Sequence, residues 1–180
     1  MSKLSALVAG TALTLSAGAL AHNHGDAPAS AYAEMIDSDG DTVGQIHLRQ
    51  GPNGVLFSLE LRGLEPGMKA IHIHSVGTCD DHEHGFQDSS GHLNPDDKQH
   101  GLMNPEGPDA GDLNNFYVHT DGYARAELFN ERVSLDGSRA AALLGGDGTA
   151  LVIHENPDDH YSQPIGGAGA RIACGVIVGD

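Results

Sequence analysis

Apolar and polar positions alternate along much of the chain after residue 30, with the two-residue period of a sheet rather than the 3.6-residue period of a helix. The pattern is clearest in Ile46-His47-Leu48 and in Val55-Leu56-Phe57-Ser58-Leu59-Glu60-Leu61. There one face of each segment reads as buried and the other as wet. Turn sequences, Ser38-Asp39-Gly40 and Gly51-Pro52-Asn53-Gly54, separate the first three segments, because Gly, Asn and Asp accept the backbone angles of a reversal. The pattern predicts strands over 31–37, 42–50, 54–62, 69–74, 115–119, 123–128, 149–154 and 170–178. No stretch sustains helical periodicity. Short strands with frequent turns predict an all-β chain, an antiparallel sandwich or barrel.

Two stretches break this rhythm. Residues 77–113 and 156–169 hold almost no β-pattern and are rich in Gly, Pro, Asp, Asn and His. Long irregular loops inside a compact domain are usually functional or disordered, and several candidate metal ligands fall in the first. With no internal repeat and no linker, residues 30–180 read as one domain.

The N-terminus has a different character. Met1-Ser2-Lys3 precedes an apolar run over 4–20 that closes on Ala19-Leu20-Ala21. A basic start, an apolar stretch and a small-x-small site predict a signal peptide over residues 1–21. The alternative is an uncleaved anchor, since the run is only slightly shorter than a membrane span. Cleavage leaves a flexible tail over 22–29 that begins His22-Asn23-His24, and a free α-amine with His in third place suits square-planar Cu(II). The expected location is periplasmic or secreted, with no membrane association after cleavage.

Charge and composition narrow the function classes. Nine basic against 25 acidic side chains give a net charge of −16, which argues against nucleic acid and against anionic membranes. A hydrophobic content of 39% is enough for a folded core. Twelve histidines point to metal binding. Two cysteines, Cys79 and Cys174, fit an oxidising compartment. A bridge closing a loop of about 95 residues would contribute roughly 4 to 5 kcal/mol by restricting the unfolded chain, and two buried thiols are the alternative.

Ile71-His72-Ile73-His74 puts two imidazoles on one face of a strand, within reach of a single ion. Alone, such a pair also arises by chance on a wet strand. It is followed by Gly91-His92-Leu93-Asn94-Pro95, Gln99-His100-Gly101, Ala110-Gly111-Asp112-Leu113, Val152-Ile153-His154-Glu155 with Asp158, and a glycine-rich run into Arg171-Ile172-Ala173-Cys174-Gly175. In this ordered series, from about residue 54 to 178, the chain resembles the copper/zinc superoxide dismutase family in its secreted bacterial form.

The resemblance implies an eight-stranded antiparallel Greek-key barrel with long metal-binding and electrostatic loops. It implies His72, His74, His92 and His154 as copper ligands, with His92 shared with a zinc ion held also by His100 and Asp112. It further implies a Cys79–Cys174 disulfide, Arg171 as the residue that docks superoxide, and Asp158 as a carboxylate joining His72 to His100. Monomers and homodimers both occur in the family. The implied chemistry is dismutation of superoxide to dioxygen and peroxide by a copper ion that cycles between Cu(II) and Cu(I), with His92 exchanging a proton. Imidazole donors suit copper, and a permanently charged, forked guanidinium suits a small anion.

Two features depart from the family. Where its zinc motif carries a histidine, this chain has Asp109, which predicts a site of two His and two Asp, since carboxylate oxygen also binds zinc. His82 or His84 could serve instead. The loop after Cys79 reads Asp80-Asp81-His82-Glu83-His84, and 156–170 holds no Lys or Arg, so Arg171 and the copper are left almost alone to attract an anion. This predicts a slow association rate with weak or inverted salt dependence. An alternative function follows from the same departures, a periplasmic copper carrier or buffer with a degenerate zinc site. His47, His119 and His160 read as surface or loop residues.

Overall fold

A computed structural model of the chain describes residues 29–180. The expected signal peptide at 1–21 and nearly all of the tail at 22–29, with His22 and His24, lie outside the described residues. Among the described residues no helix is long and apolar enough to cross a membrane.

The described residues form twelve strands: β1 (Ser30–Asp37), β2 (Thr42–Gly51), β3 (Gly54–Leu61), β4 (Gly67–Lys69), β5 (Ile71–His74), β6 (Phe116–Val118), β7 (Ala124–Asn130), β8 (Val133–Ser134), β9 (Ala141–Ala142), β10 (Ala150–His154), β11 (Arg171–Val176) and β12 (Val178–Gly179). The main sheet runs β5-β10-β11-β1-β2-β3-β7, with β12 paired to β1. The hairpin from β6 to β7 is closed by the His119 N–H donating to the Tyr123 carbonyl. β6 in turn pairs with β4, one residue before β5, so the sheet curls into an antiparallel barrel with Greek-key crossings. All eight expected segments form strands.

Two of them are interrupted. The segment expected over 69–74 divides at Ala70, whose N–H donates to the Asn156 carbonyl and whose own carbonyl accepts from His154 N–H. On one side of Ala70 the chain pairs with β6, and on the other with β10. The last segment divides at Ile177, whose N–H turns to Thr149, and β12 then pairs with the start of β1. The short parallel pair β8–β9 lies in the connection from β7 to β10.

The barrel interior follows the alternation. Val43, Ile46 and Leu48 of β2 and Val55, Phe57, Leu59 and Leu61 of β3 are buried in the main core. In β10 every residue is buried, because both of its faces are covered. Leu151 and Ile153 join the main core, while Ala150 and Val152 point outward and pack with Phe86, Cys79 and Cys174 in a second cluster. The Cys79–Cys174 disulfide, Cα atoms 5.7 Å apart, thus staples the loop after β5 onto the outer wall of the barrel. That wall carries the histidines.

Candidate metal centre

On β5 the residues Ile71 and Ile73 point into the core, which sends His72 and His74 outward on the pleat. β10 pairs alongside, Val152 opposite His72 and Ala150 opposite His74, so His154 emerges on the same outer face. The loop brings His92 in beside His74 through an isolated bridge, and Asp112 beside His72 through another. Gly111 allows this approach, since a Cβ there would collide with the Ile73 carbonyl.

The four rings cluster. Ring centroids are 4.2 Å apart for His72 and His92, 5.0 Å for His72 and His154, 5.5 Å for His74 and His92 and 5.9 Å for His74 and His154. One nitrogen of each ring is fixed by the protein. His72 Nε2 meets Asp158 Oδ2 at 2.9 Å, His74 Nδ1 the Ser90 carbonyl at 2.8 Å, His92 Nδ1 Asp109 Oδ2 at 2.9 Å and His154 Nδ1 the Gly169 carbonyl at 3.1 Å. The other nitrogen of each, His72 Nδ1, His74 Nε2, His92 Nε2 and His154 Nε2, is buried with no hydrogen-bond partner. Buried polar atoms are rarely left unpaired, and a set of four imidazole nitrogens is a donor set for copper. Burial and mutual repulsion lower the pKa of His72, of His74 and, to about 3, of His154. These rings are therefore neutral, with lone pairs available.

A second cluster adjoins the first. Ligand atoms of His92, His100, Asp109 and Asp112 lie within 4.8 Å of one another. His100 Nδ1 is 2.5 Å from Asp112 Oδ1, and Asp112 Oδ2 accepts the N–H groups of Gly101 and Asp109. Two nitrogens and two carboxylates, all largely buried, fit a divalent cation such as zinc. Asp158 spans the two clusters, with Oδ2 on His72 and Oδ1 3.1 Å from His100 Nε2. Burial alone would raise its pKa, but the His100 and His72 bonds hold it far below the usual carboxylate range. Asp112 is held down likewise by His100 and His92. Burial opposes protonation of His100, but Asp112 and Asp158 outweigh it and raise its pKa to about 10.

These shifts set the pH response of metal-free protein. His100, raised in the fold, contributes stability that is complete below about pH 6.5, the usual histidine value, and is lost as pH climbs towards 10. His154, depressed, works in reverse: the unfolded chain takes up a proton below about 6.5 that the fold refuses, so stability is lost as pH falls towards 3. The thermal midpoint of metal-free protein should peak near neutral pH and fall on both sides. Metal occupancy, by engaging these nitrogens, should flatten the alkaline limb.

Several residues sit elsewhere than the sequence suggested. His82 packs over Gly40 in the β1–β2 turn, its Nδ1 3.2 Å from the Ser38 carbonyl, and His84 is exposed. Neither joins a converging group among the described residues, and Asp109 is the fourth member of the second cluster. His160 is more than a loop residue. Its N–H donates to Asp158 Oδ1 and its ring meets Asn115, while Asn115 grips the Asp158 backbone at both N–H and carbonyl. His47 and His119 are exposed, as expected.

Other participants gave no sequence signal. Arg132 donates from Nε to the Asp109 carbonyl and from its terminal nitrogen to the Asp112 carbonyl, and Asn130 donates to the Ala110 and Asp112 carbonyls. Gln163 holds the His100 backbone at both N–H and carbonyl. Arg171 is braced by the Phe86 and Ser90 carbonyls and the Ser89 hydroxyl. It lines a cleft of about 350 Å³ with His74, His92, Asp109 and Lys98. Lys98 therefore adds a second cation where the sequence had left Arg171 nearly alone.

A curled Greek-key barrel with two adjoining histidine and aspartate clusters on its outer wall has the side chains to hold two metal ions. The family described as copper/zinc superoxide dismutase (SODC) matches residues 42–177. A copper-zinc superoxide dismutase of Aquifex aeolicus is 43% identical over 178 residues, covering 98% of this chain and 99% of that one. One of Caulobacter vibrioides is 46% identical over 150 residues, 82% and 85% of the two chains. Among solved structures, a superoxide dismutase-like protein of Bacillus subtilis superposes with a TM-score of 0.76 at 34% identity, covering 82% of this chain and 97% of that one. The chain belongs to the copper/zinc superoxide dismutase family.

Proposed function

We propose that this protein is an exported enzyme that dismutates superoxide. The observation that carries the reading is the set of four buried, partnerless imidazole nitrogens beside a cleft lined by Arg171. His72 Nδ1, His74 Nε2, His92 Nε2 and His154 Nε2 would hold copper; His92 Nδ1, His100, Asp109 and Asp112 would hold zinc. Bound copper supplies a one-electron couple, Cu(II)/Cu(I), which takes an electron from one superoxide and returns it to another.

The chain's own groups do the rest. Arg171 keeps its charge at any accessible pH and directs donors to the small anion, while Lys98 adds positive potential at the mouth. His92 Nε2 would take a proton from water when its lone pair is not engaged by copper and would pass it to the peroxide product, the second proton coming from water. Asp158 keeps the His72 and His100 rings in their ligating tautomers, as carboxylates behind metal-bound imidazoles do. The disulfide and the N-terminal pattern support export. A copper carrier has no need of a cationic cleft beside its metal, which favours the enzyme over that alternative.

The test is reconstitution of metal-free protein. One equivalent each of copper and zinc per chain should give dismutase activity, and zinc alone should give none. Tight copper binding without activity would leave the carrier in place of the enzyme.

A further inference from the structure

Ser89 is a fully buried hydroxyl at the end of a short 3-10 turn, Gln87–Ser89, on the outer wall of the barrel. Its surroundings fix its single proton. The Oγ–H donates to the Phe86 carbonyl at 2.8 Å, which leaves the oxygen's lone pairs to accept. One accepts from Arg171, whose terminal nitrogen is 3.1 Å away. The other faces His74 Nδ1 at 3.3 Å. Since His74 Nε2 is the partnerless nitrogen, Nδ1 carries the proton and points it between the Ser90 carbonyl and the Ser89 hydroxyl.

We propose that Ser89 is a positioning residue, whose hydroxyl couples the metal-facing ring of His74 to the guanidinium of Arg171 and sets where that cation sits relative to the metal. The proposal rests on the copper reading of the four imidazoles. Arg171 already has two carbonyl acceptors, Phe86 and Ser90, and His74 shares the second of them. The hydroxyl is the second shared contact, and the only one a side-chain substitution removes. Two shared points fix an orientation where one leaves a hinge. Without the hydroxyl the guanidinium can swing about the Phe86 and Ser90 carbonyls, and its unused donors leave the line to the cleft. A part-buried Arg171 donor also loses one acceptor, and such a group seeks another partner.

The probe is azide, a small anion that shifts the visible absorption of copper-loaded protein when it binds beside the metal. Ser89→Ala should weaken azide binding about three- to tenfold, the net range for one ordinary hydrogen bond, with copper content unchanged. Ser89→Thr, which keeps the hydroxyl, should restore it. In an Arg171→Ala background Ser89→Ala should have no further effect, which a general loosening of the site would not reproduce. Azide affinity in Ser89→Ala equal to wild type, or an equal loss in both backgrounds, overturns the proposal while leaving the copper site intact. Wild-type protein that takes up copper but shows no azide-dependent band overturns the docking reading, and the role of Ser89 with it.

Discussion

His92→Ala is expected to strip the protein of both metals and to lower dismutase activity by at least ~100-fold. The ring is shared: Nε2 is one of the four partnerless nitrogens of the first cluster, and Nδ1 lies 2.9 Å from Asp109 and 3.5 Å from Asp112 in the second cluster. Losing a residue that merely supports a ligand typically costs 10- to 100-fold in metal affinity or activity, so losing a donor to two ions should cost more. His154→Ala is the control, because it touches the first cluster alone. That variant should lose copper and activity yet keep one equivalent of zinc. Metal analysis after dialysis reads both outcomes, and full copper and zinc in His92→Ala would refute the shared role. The fold should survive either change, since the barrel core lies on the opposite face of β5 and β10.

Arg171→Ala is the second large effect, with kcat/KM expected to fall about 10- to 100-fold at unchanged copper content, the range for a lost charged hydrogen bond to substrate. The side chain is braced by the loop that the disulfide staples down and faces the cleft of His74 and His92. Lys98 remains at the mouth, so activity should fall without vanishing. Arg171→Lys should recover part of the loss, because a point charge attracts an anion without offering the fork.

The salt response separates near and remote charge. At 0.1 M salt the screening length is about 10 Å, so the cleft cations act on a nearby anion while the net charge of −16 repels it from afar. In the intact protein the two oppose, and the rate should depend weakly on salt. In Arg171→Ala the repulsion dominates and added salt should speed the reaction. A steep fall of the wild-type rate with salt would contradict this balance.

The strands were legible because burial on one face imposes a two-residue period, and β3 displays it without interruption from Val55 to Leu61. The division of 69–74 at Ala70 was not, since it depends on partners as distant as Asn156 and His154. His72 and His74 could be placed on a common face from their spacing alone, and the ordered motifs that follow named the other residues of the two clusters. The support around them was hidden for a physical reason. Arg132, Asn130 and Gln163 act on backbone carbonyls and N–H groups, which any sequence provides, so the identity of the partner leaves no mark on the pattern. His82 and His84 misled because proximity in sequence to Cys79 does not carry them over to Asp109. His160 was overlooked because its contact with Asp158 runs mainly through its backbone N–H.

Because β5 and β10 turn apolar side chains inward and histidines outward, stability and chemistry occupy opposite sides of the same two ribbons. Substitution among the outer loops can retune or extinguish catalysis while the inner lattice of Leu, Ile and Val goes on folding as before. A lineage built on this plan is free to exchange an outer-wall residue such as Asp109 for another without first solving the problem of how to stay folded.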